Sequence, residues 1–348
     1  MTGSQSARAA LPVALTMGEP AGIGPDITLK AWMARRARDV APFVLIADGE
    51  VMRERARLLG LDVPMREVGR AEEALAAFDS ALPLMPLRCP RAVPGKPHGA
   101  TAGAVIEAIR RAVELTRRGE TAGVVTNPIA KSVLAREGFA HPGHTEFLAE
   151  LSADGGPAPL PVMMLAADVL KVVPVTTHIA LGEVPKRLSQ ALITRVSQIT
   201  AEGLTRHFSI ARPRLMFAGL NPHAGEEGLM GEEDEAVIRP AVEELAALGI
   251  DATGPVSADT MFHEEARLRY DVAMCMYHDQ ALIPVKTLAF DEAVNVTLGL
   301  PFLRTSPDHG TAFALAGTGR AREASLLAAL RLASSQSTSA AAATGAVA

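Results

Sequence analysis

Three apolar runs of this chain stop on a histidine: Val172 to Thr177 before His178, Leu215 to Pro222 before His223, and Val272 to Tyr277 before His278. Imidazole is the commonest side-chain ligand for borderline metals, and the carboxyl end of a buried parallel strand is where open α/β sheets bind ligands. Asp279 follows the third histidine directly and adds a hard oxygen ligand or an acceptor for an imidazole N–H. Each histidine alone reads as a hydrogen-bonded structural residue. Three at matching strand ends are harder to dismiss, because one packing accident does not predict the next. Chemistry at a divalent cation is the reading they support, with zinc, magnesium, cobalt and manganese unresolved.

A second group suits an anion. Gly143-His144-Thr145-Glu146 opens the apolar stretch Phe147 to Leu151. Free helix amides, a hydroxyl and an imidazole there suit phosphate, whereas the plain alternative is a helix start with Thr145 as cap. Lys286 follows Ile283-Pro284-Val285 and Arg304 follows Leu298 to Leu303, so each charge sits among apolar or small residues and needs a partner. Solvated loop ends are the plain alternative for both. Asn295 lies between them, and Asp259 in Ser257-Ala258-Asp259-Thr260 is a loop carboxylate that suits a site or a helix cap. His309 suits a loop near the site, His141 reads as a loop residue, and His98, His207 and His263 have no comparable setting.

These side chains need a scaffold, and the pattern supplies an α/β one. An apolar strand near Val13 to Met17 runs through Gly18 to Asp26 into a helix from Ile27, with Pro25 suited to the first turn. Gly22 and Gly24 match two positions of a dinucleotide fingerprint, but Ile27 stands at the third and Pro25 removes an amide. The plain reading is a tight turn; amides facing an anionic ligand remain a second one. Strand and helix alternate onward, which predicts parallel sheet built from crossover units, with long helices over 184–206 and 232–248. After a last helix over 324–333, residues 334–348 read as a disordered Ser/Thr/Ala/Gly tail.

Composition narrows the class. At 348 residues, two domains or one elaborated α/β unit are expected. Aromatic residues are 4% and net charge is −5, which argues against a nucleic-acid-binding module. The two cysteines, Cys89 and Cys275, form no C-x-x-C pair and offer neither a disulfide framework nor a thiolate zinc knuckle. No run approaches membrane-spanning length and none reads as a secretion signal, so a cytoplasmic protein without membrane or nucleic-acid partners is expected.

From about residue 12 to 330, an ordered series of motifs resembles the 4-hydroxythreonine-4-phosphate dehydrogenase family. It comprises Met17 to Pro25, Thr126-Asn127-Pro128, Gly143 to Glu146, Thr177-His178, Leu220 to Glu226, Tyr277 to Gln280, and Asn295 to Pro301 through Arg304-Thr305-Ser306. The resemblance implies two α/β/α domains similar to the isocitrate and isopropylmalate dehydrogenases, whose nicotinamide site lacks the Rossmann fingerprint, with the active site in the interdomain cleft. The expected division is 1–127 plus 290–333 for the first domain and 128–289 for a second carrying metal ligands and a dimer interface.

It further implies a homodimer with a shared active site, His178 and His223 from one subunit and His278 from the other, around one divalent metal (zinc, magnesium or cobalt). His144, Thr145, Lys286, Asn295 and Arg304 would hold a small phosphorylated substrate. Lys286, Asp259 and Asp279 are the candidate catalytic groups, with NAD or NADP as oxidant. The reaction implied is oxidation of 4-phosphooxy-L-threonine at C3, then decarboxylation to 3-amino-2-oxopropyl phosphate for pyridoxal phosphate synthesis. Phosphothreonate, phosphoerythronate and cyclic dihydrodiols are substrates of related enzymes. A metal-dependent phosphatase or a non-catalytic metabolite-binding protein are readings from other classes.

Overall fold

Residues 11–141, 143–153 and 155–343 are described in a computed structural model. They form two compact units: the first runs to Pro159 and resumes at Leu300, and the second is Leu160–Gly299. The first begins β1 (Val13–Thr16), α1 (Gly24–Met33), β2 (Phe43–Ala47), α2 (Gly49–Leu59), β3 (Met65–Glu67), α3 (Glu73–Ala77) and β4 (Leu82–Pro86). It continues with α4 (Ala102–Arg117), β5 (Val124–Thr126), α5 (Lys131–Arg136) and α6 (His144–Leu151). The second holds β6 (Val162–Ala167), β7 (Leu170–Pro174), α7 (Val184–Arg187), α8 (Gln190–Phe208), β8 (Arg214–Ala218) and α9 (Arg239–Ala247). After β9 (Asp251–Val256), α10 (Glu264–Arg267), β10 (Val272–Cys275), α11 (His278–Ala289) and β11 (Val294–Leu298), the chain returns to the first unit as β12 (Arg304–Pro307) and α12 (Ala324–Ala343).

In the first unit every strand pair is parallel, in the order β3-β4-β2-β1-β5-β12. β1 and β2 are buried along their whole length, as strands covered on both faces must be. Val105, Ala108, Ile109, Ala112 and Val113 recur at helical spacing on α4 and pack with Ala14, Val44, Ile46 and Val124. Burying one such Val or Ile contributes about 1.5–3 kcal/mol, enough to fix the helix on the sheet. The chain runs from β1 outward to β2 and later places β5 on β1's other side. Strand order therefore reverses between β1 and β5, and the segments leaving those strands flank the reversal.

The second unit is mixed, β11-β6-β7-β10-β8-β9. Its last four strands are parallel as expected, but β6 pairs antiparallel with both β7 and β11. Only Asp168 and Val169 separate β6 from β7, far too few for a crossover. α11 lays Ala281, Leu282, Val285 and Ala289 against Leu165, Val172, Ala273 and Cys275, so Cys275 is a core residue.

Several expected boundaries shift. α5 and α6 belong to the first unit because Leu134, Phe147 and Leu148 complete the core beneath α4. β11 belongs to the second because it pairs with β6, so the first unit is cut at residue 159 and resumes at 300, not at 127 and 290. The helix expected over 184–206 breaks at Leu188 (ψ 130°), and Ser189 caps α8 by accepting from Leu192 N at 3.2 Å. The one expected over 232–248 opens as a π-turn over Asp234–Ile238 before Pro240 lets α9 begin. α12 continues to Ala343, ten residues past the expected end at 333, because the tail's alanines favour helix. The rest of the expected tail, 344–348, lies outside the described residues.

Candidate active site

The histidine strands are neighbours in the second unit's sheet, in the order β7-β10-β8. Because Val173 of β7 pairs with Met274 of β10 in parallel register, the segments leaving the two strands emerge side by side. The rings of His178 and His278 consequently lie 5.4 Å apart, centroid to centroid, within one chain. The resemblance implies His178 and His223 from one subunit and His278 from the other; within one chain, His178 and His278 are the two whose rings lie together. In the sheet, β10 lies between β7 and β8, and His223 stands five residues beyond the end of β8.

His278 opens α11, and its Nδ1 lies 2.7 Å from Asp279 Oδ1. Donation from Nδ1 to the carboxylate leaves Nε2 as the lone-pair nitrogen, the arrangement a metal-binding imidazole uses. Asp259 follows β9 in a short turn, where its Oδ1 accepts from Ser257 Oγ at 2.6 Å, and that turn touches the segment carrying His223. His178, His223, Asp259 and His278 thus all follow the carboxyl ends of four successive parallel strands. Among the described residues, no three His, Cys, Asp or Glu side chains of one chain form a metal-sized cluster. The donors present still fit a borderline divalent cation, with two imidazoles side by side and one tautomer set by a carboxylate.

Two of the three histidines stand in left-handed backbone, His178 at φ 52° and His223 at φ 55°. His223 belongs to a run of five such residues, continuing through Ala224, Gly225, Glu226 and Glu227. Each non-glycine residue there costs on the order of 1–3 kcal/mol, a load that persists only where surrounding structure imposes it and that clusters at functional sites. Lys286 lies on α11, half-buried, its ammonium 5.9 Å from the Phe290 ring centroid. Asn295 is on β11 opposite Leu165 of β6. Neither is a loop residue.

In the first unit, Arg304 is 5% exposed and donates from Nε (3.2 Å) and Nη2 (2.7 Å) to Thr126 Oγ1 at the end of β5. Burial pushes its guanidinium down to about 10, so it keeps its charge at neutral pH. Its Nη2 lies 3.5 Å from Nδ1 of His144, the buried first residue of α6. Burial, then the charges of Arg304 and Lys131, hold that imidazole well below its ordinary range, and its buried Nε2 has no hydrogen-bond partner. A buried cation, a neutral imidazole and a helix start make an anion-binding set. Thr145 is the second residue of α6 and Gly143 takes the cap position, which removes the reading of Thr145 as cap. Lys131 escaped the sequence reading because nothing local marks it; a Cβ at Gly143 would lie 3.2 Å from its Nζ.

The glycine segment after β1 makes close backbone contacts. Gly18 stands at φ 72°, and a Cβ at Gly24 would lie 2.5 Å from Met17 O. Arg55 of α2 donates to Pro20 O and Gly22 O at 2.9 Å each and pairs with buried Asp26. His141 pairs with Glu150, His98 bonds Arg91 O, and His309 bonds Gly310 O; His207 is buried on α8, and His263 precedes α10 without a side-chain cap bond.

The family profile described as pyridoxal phosphate biosynthetic protein PdxA matches residues 39–333. A 4-hydroxythreonine-4-phosphate dehydrogenase of Methylorubrum populi is 58% identical over 326 residues, covering 92% of this chain and 93% of that protein. A solved 4-hydroxythreonine-4-phosphate dehydrogenase from Klebsiella pneumoniae superposes with a TM-score of 0.85 at 36% identity, covering 94% of this chain and 100% of that one. A terephthalate 1,2-cis-dihydrodiol dehydrogenase from Burkholderia xenovorans is more distant, with a TM-score of 0.63 at 31% identity, covering 93% and 98%. With relatives this similar along nearly its whole length, the chain belongs to the PdxA family of pyridoxal phosphate biosynthetic proteins.

Proposed function

We propose that this chain is a metal-dependent, NAD- or NADP-linked dehydrogenase that oxidises 4-phosphooxy-L-threonine at C3 and releases 3-amino-2-oxopropyl phosphate after decarboxylation. The observation that carries the substrate class is the buried Arg304 guanidinium beside the neutral His144 imidazole at the start of α6, whose buried Nε2 has no hydrogen-bond partner. Together with Thr145, Lys286 and Asn295, these groups suit a phosphate ester.

Hydride leaves C3 for the nicotinamide while the hydroxyl proton passes to a base, for which this chain offers Lys286, Asp259 and Asp279. The product is a β-keto acid; its carboxylate departs as carbon dioxide, the bonding pair moves onto the ketone oxygen, and C2 is then protonated. A divalent cation held by His178, His223 and His278 supplies charge stabilisation for the alkoxide and the enolate when bound. Asp279 keeps Nδ1 of His278 as the donor, and Lys286 and Asn295 orient the substrate.

A homodimer with a shared site is part of the reading. Large exposed apolar residues lie near three of the candidate site residues: Ile179 and Leu181 beyond His178, Leu229 and Met230 beyond His223, Ile283 and Phe290 around Lys286. Such residues at a site suit burial by a second copy. No described helix is long and apolar enough to cross a membrane, and we place the enzyme in the cytoplasm. Nicotinamide reduction with 4-phosphooxy-L-threonine, with 4-phosphothreonate and with unphosphorylated 4-hydroxythreonine, each with and without added Zn²⁺, Mg²⁺ or Co²⁺, tests the proposal. Full turnover after exhaustive chelation, preference for phosphothreonate, or phosphate release without nicotinamide reduction would each overturn it.

A further inference from the structure

We propose that Asp234 is a positioning residue for His223, gripping the strained loop that presents this imidazole; the inference rests on the reading of His223 as a metal ligand. Asp234 opens the π-turn before α9 and is fully buried, eleven residues along the chain from His223. Its Oδ1 accepts from Leu220 N at 2.8 Å, and its Oδ2 accepts from Asn221 N at 3.1 Å and Asn221 Nδ2 at 3.0 Å. One carboxylate thereby collects the backbone donors of two successive residues immediately before Pro222 and His223. Four of the five left-handed residues that follow are not glycine, and the anchor upstream fixes the backbone from which this unfavourable run departs.

Glycines at the contact leave the carboxylate no slack. A Cβ at Gly219 would lie 2.8 Å from Asp234 Oδ1 and 2.6 Å from Ala224 Cα, and one at Gly225 would lie 3.1 Å from Asp234 Cβ. A second clamp joins the same loop to the helix of His278. Gln280 Nε2 donates to Gly219 O at 2.7 Å, while its Oε1 accepts from Met276 N at 2.6 Å. Residues 219, 220 and 221 are therefore each held by a buried side chain from another element. The placement of His223 relative to His278 is set through Asp234 and Gln280, with no direct contact between the histidines needed.

The test uses the full-length protein and Co²⁺ as a spectroscopic probe. Asp234→Asn puts a donor where an acceptor is required, and Gly225→Ala disturbs the same grip with a single methyl, so one of the two should fold if the other does not. Variants with wild-type circular dichroism should bind Co²⁺ about 10–100-fold more weakly, the usual cost of losing a group behind a metal ligand. Their visible Co²⁺ spectra should shift, kcat should fall, and KM for the phosphorylated substrate should change less than about threefold by the same logic, since the phosphate contacts are untouched. Wild-type affinity and spectrum in both folded variants, alongside loss of binding in His223→Ala, would overturn the role of Asp234 alone. Wild-type Co²⁺ binding by His223→Ala would overturn the metal reading and this inference with it.

Discussion

His178 and His278 face one another across adjacent strands of a single chain, rings 5.4 Å apart and inclined at 44°. Side-by-side parallel strands impose this pairing, so the two imidazoles are expected to act as a unit toward a cation. Removing either one should then cost nearly as much metal affinity as removing both. Asp279→Asn, which keeps an acceptor for Nδ1 but loses its charge, should weaken binding roughly tenfold, the lower end for such partners. Competition with a fluorescent chelator measures all three. Additive, independent losses for His178→Ala and His278→Ala would break the idea of a unit.

The motifs that carry this site could be read from the sequence because each sits at the end of an apolar run, and an apolar run of strand length is a strong local signal. What the sequence could not supply was strand order. Whether His178 meets His223 or His278 depends on β10 lying between β7 and β8, a non-local pairing with no mark in either strand. Lys131 and Asp234 were missed for the same reason, and Thr126 stood in a motif without its tie to Arg304: each matters through a partner elsewhere in the chain, and none is unusual in its own surroundings. The helix breaks at Ser189 and Asp234 were hidden by a periodicity that runs on through both.

Arg304→Lys tests the anion set. Lysine keeps the charge but loses the planar fork that reaches Thr126 Oγ1 from two nitrogens. Hydrogen bonds to charged groups are worth about 1.5–3 kcal/mol, so kcat/KM for the phosphorylated substrate should fall roughly 10- to 150-fold. Turnover of an unphosphorylated analogue, however slow, should be unaffected. An equal fall for both substrates would place Arg304 outside phosphate recognition.

His207 gives the fold a pH dependence of known sign. Burial, and secondarily the charge of Arg206, pushes its imidazole down to about 4 from an ordinary value of 6.5. The unfolded chain takes up a proton on this ring before the folded one does. Stability from this residue is thus complete above about pH 6.5 and is lost as pH falls from there toward 4, by on the order of 3 kcal/mol in total. Denaturant titrations across that window should show a shallower pH slope for His207→Leu than for the native chain. Parallel slopes would show that the ring is not buried in its neutral form.

Arg55 and Asp26 form an ion pair in which both side chains are almost wholly buried. Asp26 also accepts from Gly317 N at 2.8 Å, and Arg55 also holds Pro20 O and Gly22 O, so the pair ties the glycine segment after β1 to α2 and to the segment before α12. Arg55→Met leaves a buried carboxylate with one backbone donor and releases two carbonyls. The expected cost is about 3–5 kcal/mol, the usual penalty for breaking a buried pair by removing one partner. Asp26→Asn combined with Arg55→Met removes both charges and should recover part of it, although the two carbonyls stay unsatisfied. Urea denaturation of the two variants reads the difference directly. A double variant no more stable than Arg55→Met would mean that the carbonyl contacts, and not the stranded charge, set the penalty at this turn.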